Sequence, residues 1–122
     1  METRPLKIKN FRDLEIWQFG KKIVLQIYEM TNTFPHIEKY GLVSQMRRAA
    51  LSIPSNIAEG FNRCHNKEYK QFLFIALGSC AELETQLEIC FDLKLLKGDI
   101  FTEAIEFIQS ESKMLRSLIS KL

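Results

Sequence analysis

Apolar residues recur every three or four positions along most of this chain, which is the spacing of one face of an α-helix. Short polar segments that contain proline, glycine or asparagine separate the apolar runs. We expect residues 1–12 to form an N-terminal arm. The spacing predicts four helices, over about residues 13–33, 38–61, 66–97 and 99–121.

The residues at the predicted helix ends are types that commonly start or stop a helix. Asp13, Asn66 and Asp99 are candidate N-caps of the first, third and fourth helices. Pro35 ends the first helix, because the residue before a proline avoids the α conformation. Gly98 is the expected stop of the third helix.

Pro54 lies inside the second predicted helix, where it removes one backbone hydrogen bond. An apolar stripe continues in phase across it, through Leu42, Met46, Ala49, Ile53, Ile57 and Phe61. We therefore expect a kink near Pro54 and not two separate helices. Short connections favour antiparallel neighbours, so the sequence predicts an all-α, up-down-up-down antiparallel four-helix bundle whose second helix is kinked.

The chain has the length of one domain, and we predict a single domain over its 122 residues. Hydrophobic residues make up 46% and charged residues 26%, which is close to the globular average and excludes a disordered or fibrous class. The N-terminal residues do not resemble a signal peptide, and no apolar run approaches the length of a membrane span. We expect a cytoplasmic protein that does not contact a membrane.

The first predicted helix is apolar around more of its circumference than a single bundle requires. One stripe contains Leu14, Trp17, Val24, Leu25 and Tyr28, and a second stripe beside it contains Ile16, Ile23, Ile27, Met30 and Phe34. An apolar stripe of about 100° is enough for a helix in one small bundle, so the excess predicts a second buried contact. We expect an interface between copies that contains Ile16, Ile23 and Ile27 of the first helix and Ile75, Ser79, Gln86 and Ile89 of the third. The alternative is a monomer with a partly apolar surface.

Charge is distributed unevenly along the chain. Residues 1–72 contain 12 Lys and Arg against 7 Asp and Glu, whereas residues 73–122 contain 5 against 8. Such an asymmetry can attract an anionic partner. The candidate nucleic-acid-binding residues are Lys21, Lys22, Arg47, Arg63, Lys67 and Lys70. The alternative is an ordinary solvated surface.

A polar stripe runs beside the apolar stripe of the second predicted helix. Its members recur at spacings of three or four: Gln45, Arg48, Ser52, Asn56 and Glu59. We expect these side chains to form a hydrogen-bonded network with Glu82 or Glu84 of the third helix. The functional alternative is that Arg47 and Arg48 bind phosphate.

No pattern in the sequence indicates catalysis. The three cysteines have no C-x-x-C spacing, and the two histidines, His36 and His65, lie in predicted turns without a partner motif. Glu-x-x-His pairs, Walker loops and G-x-S-x-G runs do not occur. We expect a non-enzyme with no cofactor and no metal.

Two motifs carry a family resemblance. The run RRAALSIPSNIAEG at residues 47–60 and the run GSCAELETQL at residues 78–87 resemble those of bacterial 23S rRNA-intervening-sequence proteins, over about residues 8–120. The resemblance implies a four-helix bundle assembled as a homopentamer with a central channel. The chain is also similar to the accessory variability determinant of diversity-generating retroelements, whose basic surface engages nucleic acid.

Residues and resemblance together predict a non-catalytic homo-oligomer, pentameric by resemblance, that binds RNA or DNA through a basic surface. The alternative is an oligomeric protein-interaction scaffold with no nucleic-acid role. The expected partners are further copies of the chain, with a nucleic acid or a second protein.

Overall fold

The structure is a computed structural model that describes residues 8–122. It contains four α-helices, and no strand occurs within residues 8–122. The all-α class and the four-helix bundle predicted from the sequence are confirmed. Residues 1–7 of the predicted N-terminal arm lie outside the described residues. The helices are α1 (Glu15–Thr31), α2 (Ser44–Phe61), α3 (Asn66–Asp92) and α4 (Gly98–Ser120).

Each helix packs against the next one along the chain, and α1 also packs against α4, which closes the bundle. The fully buried apolar side chains come from all four helices and include Ile23, Ile27, Met46, Ile53, Ile57, Leu73, Leu83, Leu87, Ile108 and Leu115. Pro54 is buried within α2. The kink at this proline and the up-down-up-down order stay predictions.

The chain enters α1 through a 3-10 turn, Phe11–Asp13. The Asn10 side-chain oxygen accepts a hydrogen bond from the Arg12 backbone N–H at 2.9 Å and so caps this turn. The prediction that Asp13 caps α1 is wrong, because Leu14 occupies that position in extended conformation.

The caps predicted for α3 and α4 are displaced by one or two residues. His65 and Lys97 are the N-cap residues, while Asn66 and Asp99 lie in the first turns. Gly98, the predicted stop of the third helix, is instead the first residue of α4. Asp99 still stabilises α4, because a negative charge in the first turn interacts favourably with the helix dipole.

The helix α3 ends at Asp92, several residues before the predicted end near residue 97. Lys94 adopts a left-handed conformation with φ of 63°. Its N–H donates to the Phe91 carbonyl at 3.0 Å, and the Leu95 N–H donates to the Cys90 carbonyl at 2.9 Å. These two bonds form a Schellman motif, which satisfies the last carbonyls of the helix without a glycine.

Two short turns connect α1 and α2. A 3-10 turn, His36–Glu38, follows Pro35 and leads into a π-helical turn, Lys39–Val43, which runs directly into α2. Turns of the π type are rare and often occur at functional sites.

Within residues 8–122, no helix has the length and apolar run needed to cross a bilayer.

Candidate nucleic-acid interface

The six basic residues predicted to bind nucleic acid lie in more than one place on the bundle. Lys21 and Lys22 are exposed in the middle of α1, and Arg47 is half-buried near the start of α2. Past the other end of α2, Arg63 and Lys67 are exposed, while Lys70 is half-buried. Because α2 has 18 residues, its two ends are about 25 Å apart. The structure therefore does not bring all six together.

Basic groups and aromatic rings are paired on this surface. Five basic side chains lie over rings, at 4.3 to 5.5 Å from the ring centroid. These distances are within the range of cation–π attraction. The pairs are Arg12 with Phe11, Lys21 with Trp17, Lys39 with Tyr40, Arg47 with Tyr28, and Arg63 with Phe72. Three of these basic residues, Lys21, Arg47 and Arg63, belong to the predicted set.

The first two pairs adjoin each other at the start of α1. The rings of Phe11 and Trp17 meet edge to face with centroids 5.3 Å apart. Beside them, Lys21 lines a shallow groove between α1 and α2 together with Phe11, Trp17, Val24, Leu51, Pro54, Ser55 and Ala58. We call this feature the α1–α2 groove. It presents aromatic and cationic groups side by side.

Arg47 is held by the C-terminal end of α1. Its Nε donates to Thr31 Oγ1 at 2.9 Å, and its Nη2 donates to Asn32 Oδ1 at 3.0 Å and to the Tyr28 carbonyl at 3.4 Å. Thr31 Oγ1 in turn donates to the Ile27 carbonyl at 2.7 Å. A cation at this position stabilises the negative end of the α1 dipole. Arg47 therefore has a structural role, whatever it contacts in solution.

The polar network predicted along α2 is only partly formed. Asn56 Nδ2 donates to Ser52 Oγ at 2.9 Å, and Ser79 Oγ of α3 donates to the same oxygen at 2.8 Å. The prediction that Glu82 or Glu84 joins this network is wrong, because Glu82 accepts its hydrogen bond from Gln86 on its own helix and Glu84 accepts one from Gln109 of α4.

The remaining predicted members of that network also point elsewhere. Glu59 forms an ion pair with Arg63 at 2.9 Å, one helical turn away. Gln45 and Arg48 are exposed and make no hydrogen bond through their side chains within the described part of the chain. A polar stripe wide enough to include them extends past the contact with α3, so its outer members face water.

The predicted interface residues divide into two groups. Ile16, Ile23 and Ile27 are buried in the chain's own core, and Ser79 and Gln86 are also buried within the bundle. These five residues are thus not available to a second copy, which corrects the prediction. Ile75 and Ile89 are about half exposed, and the other exposed apolar side chains of α3 and its C-cap are Phe74, Phe91 and Leu93.

The exposed apolar part of α1 is the stripe that we had expected to face inward. Leu25 is 61% exposed, and Leu14, Trp17, Val24 and Tyr28 are partly exposed. The two apolar stripes of α1 are neighbours on the helix, and periodicity alone does not tell which one faces the core. The excess apolar width remains, but it lies on the neighbouring stripe and not on the one predicted to form the interface.

One buried polar residue was not foreseen. Glu111 of α4 is fully buried, and neither of its carboxyl oxygens has a hydrogen-bond partner among the described residues. Burial, with a smaller contribution from the Glu15 carboxylate, raises the pKa of Glu111 to about 8. The signal in the sequence was its place between Ile108 and Leu115, at the spacing of the α4 core stripe.

The described residues hold no metal-binding cluster, and two of the three cysteines are buried. No group of three or more His, Cys, Asp or Glu side chains could hold a metal within residues 8–122. Burial raises the pKa of the Cys80 thiol to about 12 and that of Cys90 to about 11, so both thiols stay protonated and unreactive at neutral pH. Cys64, His36 and His65 are exposed in the turns.

These features define a four-helix-bundle protein with clusters of basic and aromatic side chains on its surface. The chain belongs to the family of 23S rRNA-intervening sequence proteins, whose family model matches residues 12–117. Its fold is similar to the crystal structure of a protein of unknown function from the S23 ribosomal protein family of Bacteroides thetaiotaomicron. The TM-score is 0.80 at 20% identity, over 86% of this chain and 95% of that one. No curated protein matches this chain in sequence.

Proposed function

We propose that this chain is a non-catalytic, homo-oligomeric bundle that binds RNA or another nucleic acid through its basic side chains. The observation that supports this most is the pairing of five basic groups with aromatic rings. The family description adds support, since it names these proteins after an intervening sequence of 23S rRNA. Neither that description nor that of the similar structure names an enzymatic activity.

The physical reason is that single-stranded nucleic acid presents both phosphates and bases. Proteins that bind it combine cations along the backbone with aromatic rings on which bases stack. The net charge of +2 is too small to attract a polyanion by itself. Local groups such as Lys21 on Trp17 must therefore attract the nucleic acid. This attraction acts only at short range, because salt screens charges that are farther apart.

Self-association is the second part of the proposal, and the occupant of the exposed apolar surface is another copy of this chain. Large apolar side chains on α3, such as Ile75 and Ile89, are about half exposed. Ile100 of α4 is 40% exposed and offers apolar surface on a different helix of the same chain. A contact between different surfaces of identical molecules is a head-to-tail contact, which can close into a ring. Five copies is the number that the family resemblance implies.

Light scattering coupled to gel filtration tests the self-association. We expect a mass of several chains of 14.3 kDa at micromolar concentration, and a shift toward one chain when Ile75→Glu and Ile89→Glu are combined. Ser110→Glu places a similar charge on an exposed position of α4 and is the matched control. A wild-type mass of 14.3 kDa removes this part of the proposal.

Fluorescence anisotropy with a labelled single-stranded RNA tests the nucleic-acid part. We expect binding at low salt that weakens when Lys21→Gln and Lys22→Gln are combined, because fewer phosphates are then neutralised. A second variant removes the basic groups after α2 through Arg63→Gln, Lys67→Gln and Lys70→Gln. Combined Lys113→Gln and Lys121→Gln on and after α4 is the control. Absence of binding at low salt, or equal weakening by the control, refutes the proposal.

A protein-interaction scaffold is the second candidate, and the observation that favours it is exposed apolar surface on α1 and in the connection between α1 and α2. Leu25 is 61% exposed and Ile37 is 86% exposed. Affinity capture with and without nuclease separates the candidates. A protein partner that is retained after nuclease treatment favours the scaffold, whereas its loss favours nucleic acid as the bridge. The cytoplasmic location expected from the sequence stays a prediction.

A further inference from the structure

The connection between α1 and α2 forms one side of an open pocket with a volume of about 200 Å³. We call it the turn pocket. A pocket of this size is smaller than those that usually hold whole organic ligands. It has room for a small group such as phosphate. The residues that line it are Thr31, Asn32, Phe34, Pro35, His36, Lys39, Val43 and Arg47.

The described residues lining the turn pocket carry basic groups and no carboxylate. Arg47, Lys39 and His36 reach it from α2, the π-helical turn and the 3-10 turn respectively. Thr31 and Asn32 add a hydroxyl and an amide from the end of α1. The charge and the hydrogen-bonding groups both fit an anion, since guanidinium and ammonium groups are the usual partners of phosphate oxygens.

Arg47 is already oriented for such a contact. Its Nε and Nη2 are used by Thr31, Asn32 and Tyr28, and its guanidinium lies 4.3 Å from the centroid of the Tyr28 ring. Its Nη1 donates no hydrogen bond to any described residue. A half-buried arginine that is fixed on one edge and unpaired at the other nitrogen loses little side-chain entropy when it binds an anion.

An exposed aromatic residue stands next to this pocket along the chain. Tyr40, in the π-helical turn, is 83% exposed, and the Lys39 ammonium lies 5.5 Å from the centroid of its ring. Its ring face is available for stacking, and its neighbour Lys39 belongs to the pocket lining.

We propose that the turn pocket binds one phosphate group of a nucleotide, with Lys39 and Arg47 as its cationic contacts, with His36 as a further contact, and with the attached base stacked on Tyr40. The inference deepens the proposed function where the nucleotide is part of an RNA. A free nucleoside monophosphate has the same chemistry, so the two sources are separated by experiment.

Isothermal titration calorimetry with inorganic phosphate, 5′-AMP and a single-stranded RNA tests this site. The combined variant His36→Gln and Lys39→Gln is expected to lower the affinity for all three about fivefold or more. Tyr40→Ala is expected to leave the affinity for inorganic phosphate unchanged and to lower that for 5′-AMP about fivefold or more. Arg47 is left intact because it holds the end of α1, and Lys113→Gln is the control.

The outcomes distinguish the site from the wider function. If phosphate and 5′-AMP bind with these dependences and RNA does not, the turn pocket is a mononucleotide site and the proposed RNA function fails. If RNA binds but the combined variant at His36 and Lys39 changes no affinity, the turn-pocket inference is overturned while the proposed function stands. No measurable heat with either phosphate or 5′-AMP at millimolar concentration also overturns it.

Discussion

The Glu111 carboxyl fills the space beside the α-carbon of Gly20. A β-carbon on Gly20 would lie 2.9 Å from Glu111 Oε2 and 3.3 Å from the Ile53 side chain. The glycine therefore permits α1 to approach α4 and α2 at this level of the bundle. A carboxyl group in this position is enclosed by protein, and the charged form is disfavoured there.

Stability is expected to fall as pH rises because of Glu111. Its pKa is about 8 in the folded chain and close to an ordinary 4.5 when unfolded, so between these values only the folded state holds the proton. The contribution is fully present below about pH 4.5 and is lost as pH approaches 8, at about 1.4 kcal/mol per pH unit. Urea unfolding from pH 5 to 9 measures it.

The matched variants for this prediction are Glu111→Gln and Glu106→Gln. The first keeps the shape of the side chain and removes its titration. Wild type and Glu111→Gln should therefore have similar free energies of unfolding below pH 5, and the variant should be the more stable protein at pH 9. Glu106 is exposed on the same helix, and its replacement should leave the pH profile unchanged. Parallel profiles for wild type and Glu111→Gln would contradict the assignment. The charged or titratable groups that face Glu111 are Glu15 and Cys80.

Gly20→Ala and Gly78→Ala should change stability in opposite directions. At Gly20 the added methyl meets Glu111 and Ile53, so we expect a loss of about 1–3 kcal/mol from overpacking. At Gly78, in the middle of α3, no atom lies within 4 Å of the added carbon, and the better helix propensity should add about 0.5–1 kcal/mol. Thermal or urea unfolding of both variants measures the two changes in stability. A Gly20→Ala protein as stable as Gly78→Ala would refute the close approach.

Lys94→Gly is expected to stabilise the protein by about 1 kcal/mol. Lys94 holds the left-handed conformation that ends α3, and this conformation costs a residue with a β-carbon about 1–2 kcal/mol. Glycine adopts it without that cost, although it also gains entropy in the unfolded chain. Lys94→Ala removes the same side chain without relieving the backbone and is the control. Equal stability of the two variants would speak against a strained helix end.

Arg47→Gln should destabilise the protein, while Arg48→Gln should not. The first loses three hydrogen bonds to α1 and the contact with the Tyr28 ring, with an expected cost of about 1–3 kcal/mol. Arg48 is exposed, and surface substitutions of this kind stay within about 0.5 kcal/mol. Denaturant midpoints of the two variants give the comparison. Similar midpoints would show that the Arg47 contacts contribute nothing to folding.

The neighbouring arginines also show what the sequence could and could not predict. Helical periodicity predicted four helices and the all-α class, because burial of one face imposes the 3.6-residue spacing. It placed Arg48 in the structural network and Arg47 among the nucleic-acid contacts, whereas Arg47 is the one that bonds to the end of α1 and Arg48 is exposed. Which of them meets Tyr28 depends on the path of the two turns between α1 and α2, and short turns carry no periodic signal.

The core of α1 and α4 was harder to predict for another physical reason. Ile23 and Ile27 belong to one of two adjacent apolar stripes, and either could have faced inward until the positions of α2 and α4 were known. In the sequence, Glu111 interrupts the apolar stripe of α4, and a carboxylate at such a position is not expected to be buried. Only its environment, with Gly20 opposite and desolvation that favours the neutral form, makes that position acceptable.

The salt dependence of RNA affinity tests the central claim most directly. For wild-type protein and a single-stranded RNA, we expect log Kd to rise linearly with log salt concentration, with a slope of about 0.7 for each phosphate neutralised. Replacing Lys21 and Lys22 with glutamine should lower this slope, while replacing Lys113 and Lys121 should not. An affinity that does not change with salt, or a slope that is equal in all variants, would contradict nucleic-acid binding through these basic groups.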